Sequence, residues 1–290
     1  MIYTNKMGLP QEIANAMPTE RHCKQGEISA TTLIKGAKQV VLSDRHFDEI
    51  EVDISDCIKP LIGTAVHHYL EVKNPNAFTE EKFSVEVQGK KVTGQIDLYD
   101  MANGVIYDYK TTSVFKVIYK SYDEWQKQAL IYAWLMKKNG LEVKKCVFVP
   151  MFTDWTKAES RRKADYPNGG AMTVEFEVTD EALKEIEEYI NLKVAEISKA
   201  ETLPDDEIPE CSELERWATK GVFKVKKDGR KTALRVFDTE EEAVAFSQGV
   251  AGSYVEYVRG EDKKCTGYCN ACQFCSYYKK MIEGNNGVAA

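Results

Sequence analysis

GQIDLYDMANGVIYDYKTT, residues 94–112, reads as two half-buried strands joined by a short turn. Ile96, Leu98, Val105 and Tyr107 alternate with polar residues, the period of a strand with one covered face. Asn103-Gly104 between the two runs is a strong hairpin signal. If Asp100 pairs with Val105, the register sets Asp97 directly opposite Asp108, and side-chain alternation puts Asp108 and Lys110 on one face. Directly paired Cβ atoms lie about 5 Å apart. Two carboxylates that close repel unless a proton or a cation lies between them. Hard oxygen ligands suit magnesium or manganese. Two acids and a lysine on adjacent strands therefore point to metal-assisted phosphodiester chemistry. A solvated hairpin with incidental charges is the alternative, and it fits poorly with strands that carry apolar residues on one face.

PLIGTAVHHYLE, residues 60–71, lies shortly upstream and predicts a helix with apolar positions Ile62, Ala65, Val66, Tyr69 and Leu70. Gly63, His67 and Glu71 recur at four-residue spacing and so share one stripe. Gly63 lets the backbone approach a neighbour closely, and His67 can offer a nitrogen ligand. His68 points elsewhere and reads as solvated. Downstream, SYDEWQKQALIYAWLMKK at 121–138 predicts a second helix, in which Trp125, Gln128, Tyr132 and Leu135 form a stripe that on its own could simply be core.

In order along the chain stand Gly63-x-x-x-His67, Gly94-x-Ile96-Asp97, Asp108-x-Lys110 and Gln128-x-x-x-Tyr132. This ordered set resembles the RecB-type branch of the PD-(D/E)XK nucleases, over about the first two hundred residues. Each motif alone is weak, whereas the ordered set is specific. The resemblance implies an α/β, restriction-endonuclease-like αβββαβ core with a mixed sheet that cleaves nucleic acid with bound Mg2+ or Mn2+. It implies His67, Asp97 and Asp108 as metal ligands, with the Tyr109 carbonyl as a possible addition. Lys110 matches the catalytic lysine. Gln128 and Tyr132 match the motif that supports DNA binding and the active site. Asp108 stands where many members carry Glu, and both occur.

The chain has 290 residues, 43% of them hydrophobic, and a net charge of -7. That length can bury a full core with room for an appendage. No apolar run is long enough to span a bilayer. The beginning, MIYTNKMGLPQEI, lacks the basic-then-apolar layout of a signal peptide, so a cytoplasmic location, in a bacterial or phage-infected cell, is expected. The negative charge argues against a passive nucleic-acid coat. Local positive charge occurs at Lys157, Arg161, Arg162 and Lys163, read as a polar loop, and at Lys226, Lys227, Arg230 and Lys231 around Asp228-Gly229, read as a hairpin tip. No G-x-x-x-x-G-K-[ST] occurs, so any helicase motor must come from another chain.

Three regions are expected. Residues 1–200 hold the core, with an N-terminal extension that includes a helix over ISATTLIKGAKQVVLSDRH. Core strands are expected near 83–88, 91–99, 105–111, 144–152 and 172–178, followed by a helix capped by Thr179. Residues 201–262 hold the linker ETLPDDEIPE and a small ββαβ insert, whose helix opens with a Thr239–Glu242 capping box. Residues 263–290 are cysteine-rich.

Of eight cysteines, four crowd into CTGYCNACQFC as Cys265, Cys269, Cys272 and Cys275. That density in an intracellular chain suggests a metal or cluster site, with zinc and [4Fe-4S] both open on spacing alone. Cys57 and Cys146 sit in apolar contexts and read as buried thiols. The resemblance extends to iron–sulfur-containing AddB-type and CRISPR-associated exonucleases, which use one distant upstream cysteine and a C-terminal C-x2-C-x5-C. This chain departs from that pattern. Cys265-x3-Cys269-x5-Cys275 is the nearest fit, Cys272 is left over, and the segment comparable to the relatives' upstream position, KGAKQ, has no cysteine. Cys23 lies earlier and Cys211 just after the core. The expected set is Cys211, Cys265, Cys269 and Cys275, which would staple the insert at its base. A local four-cysteine zinc knuckle is the alternative.

The expectation that results is a divalent-metal-dependent DNA exonuclease acting at linear ends in recombination or repair, of bacterial or phage type, with a separate helicase or recombination protein as a possible partner. A structure-specific endonuclease is the rival within the same chemistry. A cluster-bearing DNA-binding subunit with a vestigial site is the rival outside it.

Overall fold

In the computed structural model Asp100 pairs with Val105, Tyr99 with Ile106 and Leu98 with Tyr107, the register that the Asn103-Gly104 turn implies. Gly104 takes the positive φ, 68°, and the Asp100 carboxylate accepts from the Ala102 and Asn103 amides inside the turn. The structure describes residues 1–18, 21, 23–74 and 78–286, with side chains through 283. They fall into two compact units, Met1–Pro204 and Asp205–Ala290.

The first unit contains strands β1 (Ile2–Thr4), β2 (Glu27–Ser29), β3 (Glu51–Asp53), β4 (Phe78–Val87), β5 (Lys90–Asp100), β6 (Val105–Thr112), β7 (Lys145–Phe152) and β8 (Val174–Glu177). Its helices are α1 (Gln11–Asn15), α2 (Ala30–Leu33), α3 (Ala37–Arg45), α4 (Ile58–Lys73), α5 (Phe115–Ile118), α6 (Asp123–Lys138), α7 (Lys157–Arg162) and α8 (Asp180–Glu201). A mixed sheet runs β2-β5-β6-β7-β8, with β4 also paired to β5. The series α4-β4-β5-β6-α6-β7 is the expected αβββαβ order. β6 and β7 are parallel, so the chain between them must cross over the sheet, and α6 makes that crossing. α6 buries Ala129, Ile131, Ala133, Leu135 and Met136. The sheet buries Ile96, Ile106, Cys146 and Phe148, and α8 adds Ile190 and Val194. Each such aliphatic or aromatic side chain contributes roughly 1.5–3 kcal/mol on burial. α6 comes so close to β5 that a Cβ on Gly94 would stand 2.6 Å from Leu135 Cδ1 and 2.9 Å from Tyr132 Cδ1. Among the described residues no helix is long and apolar enough to cross a membrane.

Three elements differ from expectation. The single helix read over residues 28–46 is divided into β2, α2 and α3. Ser29 caps α2 by accepting from the Thr32 amide, and Gly36, in extended conformation, begins α3 afresh. The strand expected to start at residue 83 starts at Phe78. The basic loop at 157–163 contains the short helix α7, in which Glu159 pairs with Arg162 and Lys163 and so neutralises part of its charge.

The second unit contains helices α9 (Glu213–Arg216), α10 (Glu240–Gln248), α11 (Lys263–Gly267) and α12 (Ser276–Asn286) and strands β9 (Val222–Lys227), β10 (Arg235–Phe237) and β11 (Ser253–Val258). The strands form an antiparallel sheet in the order β10-β9-β11, a ββαβ arrangement. Thr239 accepts from the Glu242 amide to start α10.

Candidate active site

Beyond the Leu98–Tyr107 pair the two central strands separate. β6 keeps its ladder with β7 as far as Thr112, and over Gly94–Ile96 β5 is paired only with β4. Main-chain groups in the opening need other partners, and side chains supply them. The Tyr109 amide donates to Asp97 Oδ2 at 2.6 Å, and the Tyr109 carbonyl lies 2.9 Å from His67 Nε2.

A carbonyl only accepts, so Nε2 of His67 carries the hydrogen. Its Nδ1 is thereby turned toward Asp97 Oδ1 at 3.2 Å and Glu80 Oε1 at 3.8 Å. α4 delivers the imidazole. Gly63, one turn before His67, permits the approach, since a Cβ there would be 3.1 Å from Thr111 Oγ1 on β6.

Glu80 is a site residue that the sequence reading missed. It sits where the β4–β5 ladder is interrupted, between the pairs Thr79–Leu98 and Glu81–Ile96, opposite Asp97. Its φ of 54° is left-handed, a conformation that costs a non-glycine residue about 1–3 kcal/mol. Gln95 Nε2 holds its Oε2 at 2.7 Å. Donor atoms of His67, Glu80 and Asp97 all lie within 4.8 Å of one another. They line a concavity of ≈ 80 Å³, together with Leu70, Glu71 and Tyr109.

Asp108 lies beside this triad and is only 1% exposed. Its Oδ1 stands 2.7 Å from Lys110 Nζ, and Gln128 Nε2 approaches its Oδ2 at 3.4 Å. That Oδ1 is buried, and the Lys110 ammonium is the group that offsets its charge. The Gln128 amide donates to the Tyr132 hydroxyl at 2.7 Å. The Lys110 ammonium also lies over the Phe148 ring, 5.3 Å from its centre.

The electrostatics follow from this crowding. Burial, followed by the Asp97 charge, raises the Glu80 carboxyl. Burial raises Asp108 to about 6 against the opposing pull of Lys110, and Asp97 adds to the rise. His67 is raised, chiefly by its hydrogen bond to Asp97. Burial raises the Tyr132 hydroxyl. The site thus gathers more negative charge than it neutralises, and a divalent cation at the Nδ1 and carboxylate donors would relieve it.

In the second unit, burial pushes the Cys265 thiol up to about 12, with Asp262 and the thiols Cys269, Cys211 and Cys275 adding to the rise. Cys269, raised to about 11, feels Cys272, Cys211 and Cys275 after burial. The segments that carry Cys211 and Cys265 are pinned to each other. Arg216 donates to the Cys211 carbonyl and to Asp262 Oδ1, the latter at 3.0 Å. Tyr277 donates to Asp262 Oδ2 at 2.6 Å, and Ala218 bridges to Asp262. These contacts close the base of the ββαβ insert. Cys146 is fully buried, and Cys57 is half-buried.

The family model of the PD-(D/E)XK nuclease superfamily matches residues 33–278. Among solved structures, the chain is similar to an alkaline exonuclease from Laribacter hongkongensis at 11% identity and a TM-score of 0.41, covering 66% of this chain and 93% of that one. It is also similar to a phage-related exonuclease from Haemophilus somnus at 14% identity and a TM-score of 0.38, covering 58% and 91%. No curated protein matches the chain.

Proposed function

Since the chain belongs to the PD-(D/E)XK nuclease superfamily, we propose that it is a DNA exonuclease that hydrolyses phosphodiester bonds with Mg2+ or Mn2+ held at His67, Glu80 and Asp97. The observation that carries this reading is the convergence of those three donors beside the buried Asp108–Lys110 pair. Their chemistry fits a hard divalent ion: two carboxylates, one imidazole nitrogen, and beside them the buried Asp108 carboxylate. A bound ion of this kind polarises a phosphoryl oxygen and lowers the pKa of its water.

The protein's own groups do the rest. Asp97 and Asp108 set the negative field that retains the ion, and Asp97 fixes the Tyr109 main chain. The Tyr109 carbonyl orients His67 so that Nδ1 faces the site. Lys110 neutralises charge that develops on the phosphoryl oxygens in the transition state. Gln128 backs Asp108 from the α6 side and is itself held by Tyr132. Action on ends rests on the resemblance of the four ordered motifs to RecB-type exonucleases.

The test is an end-labelled assay on linear and circular DNA, single- and double-stranded, with Mg2+ or Mn2+. Loss of linear but not circular substrate supports the reading. Efficient cutting of circles would replace exonuclease with endonuclease. No cleavage of either would leave a DNA-binding subunit.

The cysteines extend the proposal. Cys211, Cys265, Cys269 and Cys275 would hold a [4Fe-4S] cluster with a structural role, closing the base of the insert where Arg216, Asp262 and Tyr277 already bind its two ends. Four soft thiols suit this cluster or zinc. Broad visible absorbance of anaerobically purified protein supports the cluster, and colourless protein with stoichiometric zinc would overturn it.

A further inference from the structure

Residues 220–235, KGVFKVKKDGRKTALR, carry seven basic side chains and one acid in a chain of net charge -7. The fold separates them into paired and unpaired groups. Lys226 is neutralised by Glu256 at 2.6 Å, and Arg235 lies over the rings of Phe237 and Phe246. Lys224, Lys227, Arg230 and Lys231 have no ion-pair partner among the described residues. The last three are exposed in and around a turn closed by the Arg230 amide on the Lys227 carbonyl, with Gly229 at φ 81°.

The sheet behind that turn has one covered face and one open face. Val225 is fully buried and Phe237 contacts Phe246 of α10, so the side that carries them faces the helix, with Tyr257 left 59% exposed at the end of that side. Alternation sends Lys224, Val236 and Tyr254 to the other side. Val236 is 49% and Tyr254 46% exposed there. Tyr254 pairs with Lys226, and Val236 pairs with Lys224. An exposed aromatic ring among lysines, beside a cationic loop, combines what a single strand offers: a base face to stack on and phosphates to bind. A duplex hides its base faces and would use only the charges.

We propose that the open face of the ββαβ sheet and its 227–231 loop form a platform for single-stranded nucleic acid, with the unpaired cations on phosphates and Tyr254 stacked on a base. The platform rests on the phosphodiesterase reading only for the identity of the polymer, and it gives an acidic chain a separate grip on its substrate.

The experiment measures fluorescence anisotropy of the full chain with a labelled oligothymidine and with a blunt duplex, without divalent metal, across a salt series. The variant with Lys224, Lys227, Arg230 and Lys231 all changed to Gln is expected to shallow the salt slope on oligothymidine by about 3, at ~0.7 per lost phosphate contact. Tyr254→Ala is expected to weaken oligothymidine binding about tenfold and leave the duplex unchanged, with Tyr254→Phe restoring affinity. Lys224 and Tyr254 lie off the face that α10 covers, Lys227, Arg230 and Lys231 are exposed at the turn, and thermal melting verifies the fold of each variant. Unchanged affinity and slope in both variants would discard the platform. Equal loss on duplex from Tyr254→Ala would overturn the single-strand assignment. DNA cutting by the wild type alongside variants that bind normally leaves the nuclease reading standing without the platform. Platform-dependent binding by a protein that never cuts does the reverse.

Discussion

Lys110 Nζ stands 2.7 Å from Asp108 Oδ1, although Asp108 is 1% exposed and the lysine side chain is partly exposed. Alternation along β6 puts both on one face, so the strand itself delivers a cation to a buried carboxylate. The lysine is free to serve a phosphoryl group only if that pair can be shared. Lys110→Met is therefore expected to lower cleavage by about 10²–10³-fold, the scale for loss of one preorganised charge in a transition state. DNA affinity, read by anisotropy, should stay close to wild type. Full cleavage by Lys110→Met would remove the lysine from the chemistry.

Asp108 also makes the metal-free protein sensitive to pH. Its carboxyl titrates at about 6 in the fold, mainly through burial, and near 3.9 in the unfolded chain. Between those values the native state holds a proton that the unfolded state has lost. Stability is therefore greatest below about pH 4 as far as this group is concerned, and falls as pH rises through about 6. Asp108→Asn should flatten that part of the profile in denaturant melts taken with chelator. An identical slope in the two proteins would show that Asp108 is already ionised at low pH.

Metal affinity should carry the opposite signature of a proton being displaced. His67 Nε2 is committed to the Tyr109 carbonyl, and Nδ1 faces Asp97 in a setting that raises the imidazole pKa. A cation must displace the Nδ1 proton, so Mn2+ binding measured by calorimetry should tighten as pH rises through and beyond the ordinary histidine range. His67→Ala should weaken binding and remove most of that dependence. Glu80→Gln should weaken binding by tenfold or more, because it removes one of three converging donors. Wild-type affinity in Glu80→Gln would reduce Glu80 to a second-row contact of Asp97.

Strand alternation and one Asn-Gly turn made the register near the turn and the shared face of Asp108 and Lys110 legible, but the expected direct Asp97–Asp108 pair does not form, because the β5–β6 ladder ends at Leu98–Tyr107. Register is a counting problem once the turn is known, and the pairs Asp100–Val105 and Leu98–Tyr107 obey the count. Glu80 was not legible. It depends on a left-handed residue within a ladder, and no side-chain pattern in FTEEKFSVEV announces which of its acids turns inward. The break of residues 28–46 into β2, α2 and α3 was hidden for a related reason. Its apolar spacing suits a helix, and only the pairing of Glu27–Ser29 with β5 gives the first residues another use. The ββαβ insert was readable from turn residues and the Thr239 cap, but the direction of its open face needed the ring contacts with α10.

Gly94 supplies a test of how tightly α6 is tied to the site. A methyl group there would meet Leu135 and Tyr132 at under 3 Å, and both side chains are buried. Gly94→Ala should cost about 1–3 kcal/mol, the usual range for overpacking, read as a lower denaturation midpoint. Because Tyr132 accepts from Gln128, which in turn approaches Asp108, cleavage should fall more than stability explains at a temperature where the variant is folded. Loss of stability with unchanged kcat would confine Gly94 to packing.

The cysteines allow a direct comparison between neighbours. Cys265 feels Cys269, Cys211 and Cys275, while Cys272 is raised by burial, feels Cys275 and shares a side-chain contact with Tyr278. If Cys211 is a ligand, Cys211→Ser should strip the visible absorbance and iron from anaerobically purified protein and loosen residues 205–286 to proteolysis. Cys272→Ser should keep iron, colour and protease resistance, because a hydroxyl can retain the contact with Tyr278. The opposite outcome, with colour lost in Cys272→Ser and kept in Cys211→Ser, would move the fourth ligand into the local CTGYCNACQFC segment. The Arg216–Asp262–Tyr277 contacts would then hold the base of the insert without help from a shared ligand set.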